Sequence, residues 1–457
     1  MPQVDRVEAA GATPPPRRPQ RLIVERLAAV TFLVAALALD VWGTWQLSQH
    51  LGAHTDLLPR WYGTRAWILE GRSVYEPEVK AGVFEAMHGR PPRSDGTASE
   101  LDDFAFGFTY PPYVALVIAP LAVLPLPVAT TLWLLIGQAS LLAACRLLTW
   151  FPSFTPGPSP TGKGESRSVR MGSSLASRHF RWLVLVAVLW PPALANLIFG
   201  QFAALVLFLL VAVRSLLLKE RPLLAGLCLA AAVVKPQLVV LAVPLLLVAA
   251  WRRPGWRRLW LGCLGGITLL LAAGFAVAPD WLAAWGEETE VYARVAAPVS
   301  AVGLLLRLTL PADWTGFLTL PLQIGMIALV TWGALLLVRQ RPGAGLPEVA
   351  GLVAPAIIAT SLAIPPLYEW NSVLLLVPLA EALFAIQQRL AQAQRPFWPI
   401  IVVVLLLSAV TAPLALAYPS QSRVVWPLLV TAAWLATRRL APRLTHPDGR
   451  HRGRFQS

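Results

Sequence analysis

Apolar residues in this chain come in long unbroken runs, and the polar residues gather in short intervals between them. A helix crossing a bilayer needs about twenty such residues, because each adds 1.5 Å and the hydrocarbon core is ~30 Å thick. The runs fall at 27–47, 128–150, 182–194, 202–218, 223–234, 238–251, 259–278, 317–338, 349–364, 373–386, 397–417 and 424–436. They predict an all-α, polytopic bundle of about 12 transmembrane helices, several of them short and in need of a locally thinned or protein-lined region. One further apolar piece, Tyr113 to Leu124, stands between Tyr110-Pro111-Pro112 and Pro125-Leu126-Pro127. It would cover only about 18 Å and is expected to be re-entrant or juxtamembrane. Within the polar interval before it, residues 59–69 predict a short amphipathic helix on the membrane, anchored by Trp61, Tyr62 and Trp67.

Composition sharpens this picture. Of the 457 residues 56% are hydrophobic and only 14% charged, which excludes a soluble domain of this size. Lys and Arg outnumber Asp and Glu by 38 to 24, for a net charge of +14. The excess sits in alternate loops, as the positive-inside rule requires, so no nucleic-acid partner is indicated. That alternation gives the domain plan. Residues 1–21 form a Pro- and Arg-rich disordered cytoplasmic arm, 22–440 the transmembrane domain, and 441–457 a basic cytoplasmic tail. The basic loop 151–181 is cytoplasmic, and the loops 48–126 and 279–316 are outside, with residues 88–103 flexible. Cys145, Cys228 and Cys263 lie inside apolar runs, so neither a disulfide framework nor a metal site is expected, and no cofactor is indicated.

The same parity puts a set of polar groups from different turns on one side: Asp56 with His54 and Arg60, Tyr110, Asn196, Gln201, Lys235, Gln237, Ser300, Tyr368, Glu369 and Asn371. A convergent polar cluster at the mouth of a bundle is what a membrane-face enzyme or a vestibule requires. Each member also has a plain reading. Gln201, Glu369 and Asn371 serve equally as turn residues, Lys235 as a snorkelling cation, and Tyr62, Trp61 and Trp67 as interface anchors. His54 has no second His or Cys at ligand spacing, which leaves it a helper or a solvated loop residue.

Taken together, Asp56, Tyr62, Gly71 and Tyr75, then Tyr110-Pro111-Pro112 and the Pro120 to Pro125 stretch, resemble glycosyltransferase family 87. The likeness continues through Gly200-Gln201, Ala225-Gly226 with Lys235-Pro236, Ser300 with Leu305 and Arg307, and the turn from Pro365 to Asn371 before Leu374. It spans roughly residues 27–440. The resemblance implies a GT-C-like membrane enzyme of the cell envelope. Such an enzyme takes a hexose, here mannose, from a polyprenyl-phosphate sugar and passes it with inversion to a lipid or glycan acceptor, its site facing the extracytoplasmic side of the cell membrane. Besides that donor and acceptor, its partners are membrane lipids.

The residues suit that chemistry in their own right. A lipid-phosphate leaving group is a weak base, so the reaction needs a base for the acceptor hydroxyl and cations for the phosphate, but no general acid. Asp56 is the candidate base, and Lys235, Arg60 and Arg65 are the candidate phosphate ligands. His54, Tyr62, Tyr110, Gln201, Gln237, Glu369 and Asn371 are candidate substrate contacts. The competing class is a transporter or lipid flippase, for which Asp40 and Glu381 inside apolar runs are the best evidence.

Overall fold

The computed structural model describes residues 18–92, 107–150, 180–296, 299–339, 345–365, 368–417 and 423–439. Every regular element among them is a helix, and no strand occurs. Five helices are long and apolar enough to cross a bilayer: Val30–Leu51, Leu126–Thr149, Trp256–Val277, Asp313–Gly333 and Glu369–Gln392. The pair Phe180–Leu189 and Pro191–Ile198, bent by 63°, makes a sixth when counted as one span. Most of the other apolar runs form helices of 10–17 residues, shorter than a bilayer core, while the run 397–417 forms the 20-residue helix Trp398–Ala417. The expected count of about 12 spans is therefore not reached by helices of spanning length.

Breaks account for the difference. Proline lacks an N–H and pushes the residue before it out of the helical region. Trp190, before Pro191, has ψ 123, and Lys235, before Pro236, has φ −130 and ψ 79. The run 182–194, one apolar stretch in the sequence, therefore becomes two helices in space, while the break at Lys235-Pro236 falls at the turn expected between 223–234 and 238–251. Breaks at membrane depth are tolerated only where protein satisfies the freed backbone. Here the Tyr113 hydroxyl donates to the carbonyl of Val233 at 3.1 Å.

The core forms around the helix Ala203–Leu218, which is buried on nearly every side and packs against Leu126–Trp150 and Pro222–Ala231. Behind it, Pro222–Ala231 crosses Trp256–Val277 at Gly226 and Gly262. A Cβ added to Gly226 would strike the carbonyl of Leu259, and one added to Gly262 would strike that of Leu223. Small residues let backbones meet in this way, which is how helices associate where lipid removes the hydrophobic drive. On the outside, Val30–Leu51 and Asp313–Gly333 leave Phe32, Leu39, Trp42, Phe317, Leu320 and Leu329 exposed. An apolar surface of that kind suits a bilayer.

Two intramembrane acids have structural partners. Gln138 Nε2 donates to Asp40 Oδ1 and to Thr44 Oγ1, both at 3.3 Å, and so links the first helix to Leu126–Trp150. Glu381 accepts from Trp434 Nε1 at 2.9 Å and Arg438 at 3.0 Å, with Arg214 at 3.8 Å, and fastens the helix Val425–Arg439 to the core.

Several expectations change. The segment expected to lie on the membrane is the helix Leu57–Glu70, docked through buried Leu57, Leu58, Arg60 and Ala66, with Trp61 Nε1 donating to the Leu124 carbonyl at 3.1 Å. The interval 279–316 is largely helical, as Trp281–Ala296 and Ala301–Thr309. Arg18 to Arg21, assigned to the arm, belong to the first helix, Arg18–Leu51. Most of that arm (1–17), residues 93–106, the loop 151–179 and the tail 441–457 lie outside the described residues.

Candidate active site

Asp56 stands between the single turn Gly52–His54 and the helix Leu57–Glu70. Its backbone N–H donates to the Phe199 carbonyl at 3.1 Å, which pins this segment to the turn before Gly200. The carboxylate accepts from Gln201 Nε2 and has Arg60 Nη2 at 3.6 Å, one helical turn on. About half of the Asp56 side chain is accessible (48%), whereas that of Arg60 is 2% accessible.

Arg60 is held from three directions. It donates to the Gly200 carbonyl at 3.0 Å and to the Tyr110 hydroxyl at 2.9 Å, and its guanidinium lies 4.4 Å from the Tyr110 ring and 5.0 Å from the Phe202 ring. Gly200 makes this possible, since its φ of 60 is a left-handed value that turns its carbonyl toward both Arg60 and Trp133 Nε1, the latter at 2.7 Å. A planar guanidinium seated against aromatic faces keeps a fixed orientation.

Gln201 joins the two charged ends of the site. Its Nε2 reaches Asp56, while its Oε1 accepts from Lys235 Nζ at 2.7 Å. Lys235 also donates to Asn371 Oδ1 at 3.0 Å. This ammonium is 3% exposed, and both of these hydrogen bonds end on neutral amide oxygens. Two cations, Arg60 and Lys235, therefore surround one carboxylate, and the enclosed cluster carries a net positive charge. Enclosed charge without a counter-ion is costly, so such a site favours an anion.

The electrostatics follow from that imbalance. Burial lowers Lys235 from the ordinary lysine value to about 7; the Arg60 charge adds to the fall, and Asp56 opposes it. Burial raises the Asp56 carboxyl, while Arg60 and then Lys235 pull it back down. Burial also raises the Tyr110 phenol, against the pull of Arg60, so it serves as a neutral hydrogen-bonding group.

Around this cluster stands an aromatic wall. The Tyr368 and Trp370 rings stack at 4.6 Å, and Trp370 meets Phe199 at 5.0 Å. The Tyr368 and Tyr292 hydroxyls are 2.5 Å apart. A second layer ties the outer segments together. Lys80 pairs with Glu288, Trp285 Nε1 donates to the Thr109 carbonyl at 3.2 Å, and the Tyr75 hydroxyl donates to the Tyr110 carbonyl at 2.6 Å.

Of the candidate residues, the fold gathers Asp56, Arg60, Tyr110, Gln201, Lys235 and Asn371 into one bonded group. Gln237 is next to it, lining a cavity of about 20 Å³ with Asn371 and Thr360, room for one water. Arg65 is elsewhere: it donates to the Ala122 carbonyl at 3.0 Å and lies over Trp61 at 5.3 Å. Tyr62 packs over Gly82 of the helix Pro77–His88, and His54 is exposed. Glu369 is half-buried on the Asn371 turn, whose contact with Lys235 is made by Asn371. Asn196, read as part of the cluster, caps the next helix instead, its Oδ1 accepting from the Ala204 N–H at 3.1 Å. Sequence reasoning missed Phe202, Tyr292, Lys80 and the role of Glu288. The acidic character of 287–290 was the one available signal.

In the comparisons with known proteins, the family model of glycosyltransferase family 87 matches residues 108–366, more than half of the chain. The matched stretch carries Tyr110, Gln201 and Lys235; Asp56 and Asn371 lie outside it and are joined to it through their bonds to Gln201 and Lys235. No curated protein and no solved structure matches.

Proposed function

This chain belongs to glycosyltransferase family 87, and from that premise we propose that it is an inverting membrane mannosyltransferase. It takes its hexose from a polyprenyl-phosphate sugar and gives it to a hydroxyl of a lipid or glycan acceptor at the extracytoplasmic face of the cell membrane. The observation that carries the donor class is the enclosed pair of cations, Lys235 and Arg60, beside a single half-open carboxylate. A phosphate leaving group gains negative charge as the glycosidic bond breaks, and preorganised cations in a water-poor site stabilise it without reorganising. The acceptor hydroxyl is too weak an acid to attack unaided, so Asp56 takes its proton as the new bond forms. Gln201, bonded to both ends, sets the distance between base and phosphate site. Attack from the side opposite the leaving phosphate inverts the anomeric carbon.

The transporter or flippase reading loses its main support, because Asp40 and Glu381 are engaged in helix–helix contacts. The deciding experiment is transfer from a labelled polyprenyl-phosphate mannose by purified protein. Asp56→Asn keeps the size of the side chain and cannot accept the proton, and it is expected to lose about 10²–10⁴ in rate while still binding donor. Transfer by Asp56→Asn at the wild-type rate removes Asp56 as the base. Solute movement across vesicles with no sugar consumed by wild type restores the transporter.

A further inference from the structure

The helix Trp281–Ala296 turns one stripe of side chains inward. Trp281, Trp285, Glu288 and Tyr292 follow one another at intervals of four, three and four, which stacks them on a single face. Leu282, Glu287 and Glu290 are exposed. The inward residues reach three separate parts of the chain. Trp281 lies edge-on to the Tyr113 ring at 6.4 Å, and Trp285 Nε1 donates to the Thr109 carbonyl at 3.2 Å. Glu288 pairs with Lys80 of the helix Pro77–His88, and the Tyr292 hydroxyl meets that of Tyr368. The helix is thus a strap across segments that border the Asp56 cluster.

Two of these contacts bear on the site directly. Thr109 precedes Tyr110, whose hydroxyl accepts from Arg60. Burial raises the Tyr292 phenol, and Tyr368, Tyr110 and Asp56 add to the rise, so Tyr292 is a neutral hydroxyl within reach of the Asp56 charge. Only one hydrogen lies between the two oxygens of a hydroxyl pair. The Tyr292–Tyr368 pair therefore keeps one O–H free to donate on the side where Asp56 is half open.

Stability alone does not explain the ion pair in this stripe. Glu288 is 3% exposed, and a buried pair stabilises a fold no better than apolar residues of the same volume. Breaking such a pair is costly, because one charge is left buried alone, so it holds two elements to one register. Gly107 makes room for it: an added Cβ there would fall 2.8 Å from Glu288 Oε2 and 3.3 Å from Lys80 Cγ.

We propose that Glu288 and Lys80 are positioning residues for the acceptor: their pairing holds Trp281–Ala296 in register, and with it the Tyr292–Tyr368 hydroxyls, which meet a polyhydroxylated acceptor on its way to Asp56. The inference rests on the reading that Asp56 activates an acceptor hydroxyl, and it names what sets that acceptor in place.

The test is mannosyl transfer by the full chain in lipid nanodiscs, from polyprenyl-phosphate mannose to octyl α-mannoside, with hydrogen exchange measured on the same samples. Lys80→Met and Glu288→Gln should each raise the KM for octyl mannoside about tenfold or more and leave that for donor within about twofold. Exchange should rise in 77–88 and 281–296 only. Combining Lys80→Glu with Glu288→Lys restores the pair with its charges reversed and should recover most of the loss. Tyr292→Phe should show the same split between the two KM values with exchange unchanged. Equal KM for octyl mannoside in wild type and Lys80→Met overturns the inference. An equal rise in both KM values overturns it too, as does a reversed pair no better than the single variants. If Lys80→Met loosens the whole chain, Tyr292→Phe decides, and an unchanged acceptor KM in that variant overturns the inference. No transfer by wild type, with loosening in Lys80→Met confined to the two helices, keeps the clasp and removes the proposed activity.

Discussion

Lys235 is the residue whose state has the largest consequence for the site. Its value of about 7 means that the cation is present below neutral pH and is lost as pH rises through that value. A bound phosphate favours the charged form and moves the value up. The profile of kcat/KM, which reports free enzyme, should therefore fall on the alkaline side near pH 7, and that of kcat at higher pH. On the acid side both should fall as Asp56 gains its proton, at a higher pH than an ordinary aspartate, because its carboxyl is raised. Lys235→Arg should move the alkaline limb out of range, and Lys235→Ala should remove it and weaken donor binding by about ten- to a hundredfold. An unchanged limb in Lys235→Ala assigns it to another group. The residues of this cluster were legible because each occupies a turn between apolar runs, and counting crossings puts such turns on one side. Arg65 misled for a reason of helix phase: five positions after Arg60, it points about 140° away around the helix.

At the scale of the element, Gly226 and Gly262 set how closely two helices behind the core approach. Gly226→Ala puts a methyl against the Leu259 carbonyl and should cost roughly 1–3 kcal/mol, read as a lower Tm in detergent. Gly265, three residues beyond Gly262, has nothing within 4 Å of an added Cβ. Gly265→Ala should be neutral or slightly stabilising, since alanine favours helix by about 1 kcal/mol. Equal loss in both variants would mean that helix–helix contact is not what Gly226 provides. Runs of apolar residues announced that there would be helices, and their lengths gave the long ones. They did not announce that Pro191 would divide the run 182–194, because proline inside a span is tolerated or breaking according to which neighbours satisfy the backbone; the break at Pro236 falls at the turn expected between 223–234 and 238–251.

For the whole molecule, the convergence of Asp56, Gln201, Lys235 and Asn371 means that their turns share one end of the bundle. The proposed function requires that end to face the outside of the membrane. In a background without Cys145, Cys228 and Cys263, Glu78→Cys should react with an impermeant maleimide on intact cells, and Lys219→Cys only after permeabilisation. The reverse pattern moves the site to the cytoplasmic face. The pairing of Lys80 with Glu288, 208 positions apart, was beyond any reading of local pattern, since it depends on how two outer helices dock. Such distances also bear on the order in which the protein is made. Gln201 follows Asp56 by 145 residues, so at 5–20 residues per second the ribosome delivers it about 7–30 s later. Through that interval the acid of the first loop has Arg60 beside it but neither its amide nor its lysine, and a nascent chain halted before residue 235 holds only one of the two cations of the cluster. The active centre is thus completed late in biosynthesis, and a truncated chain inserted in the membrane carries no working copy of it.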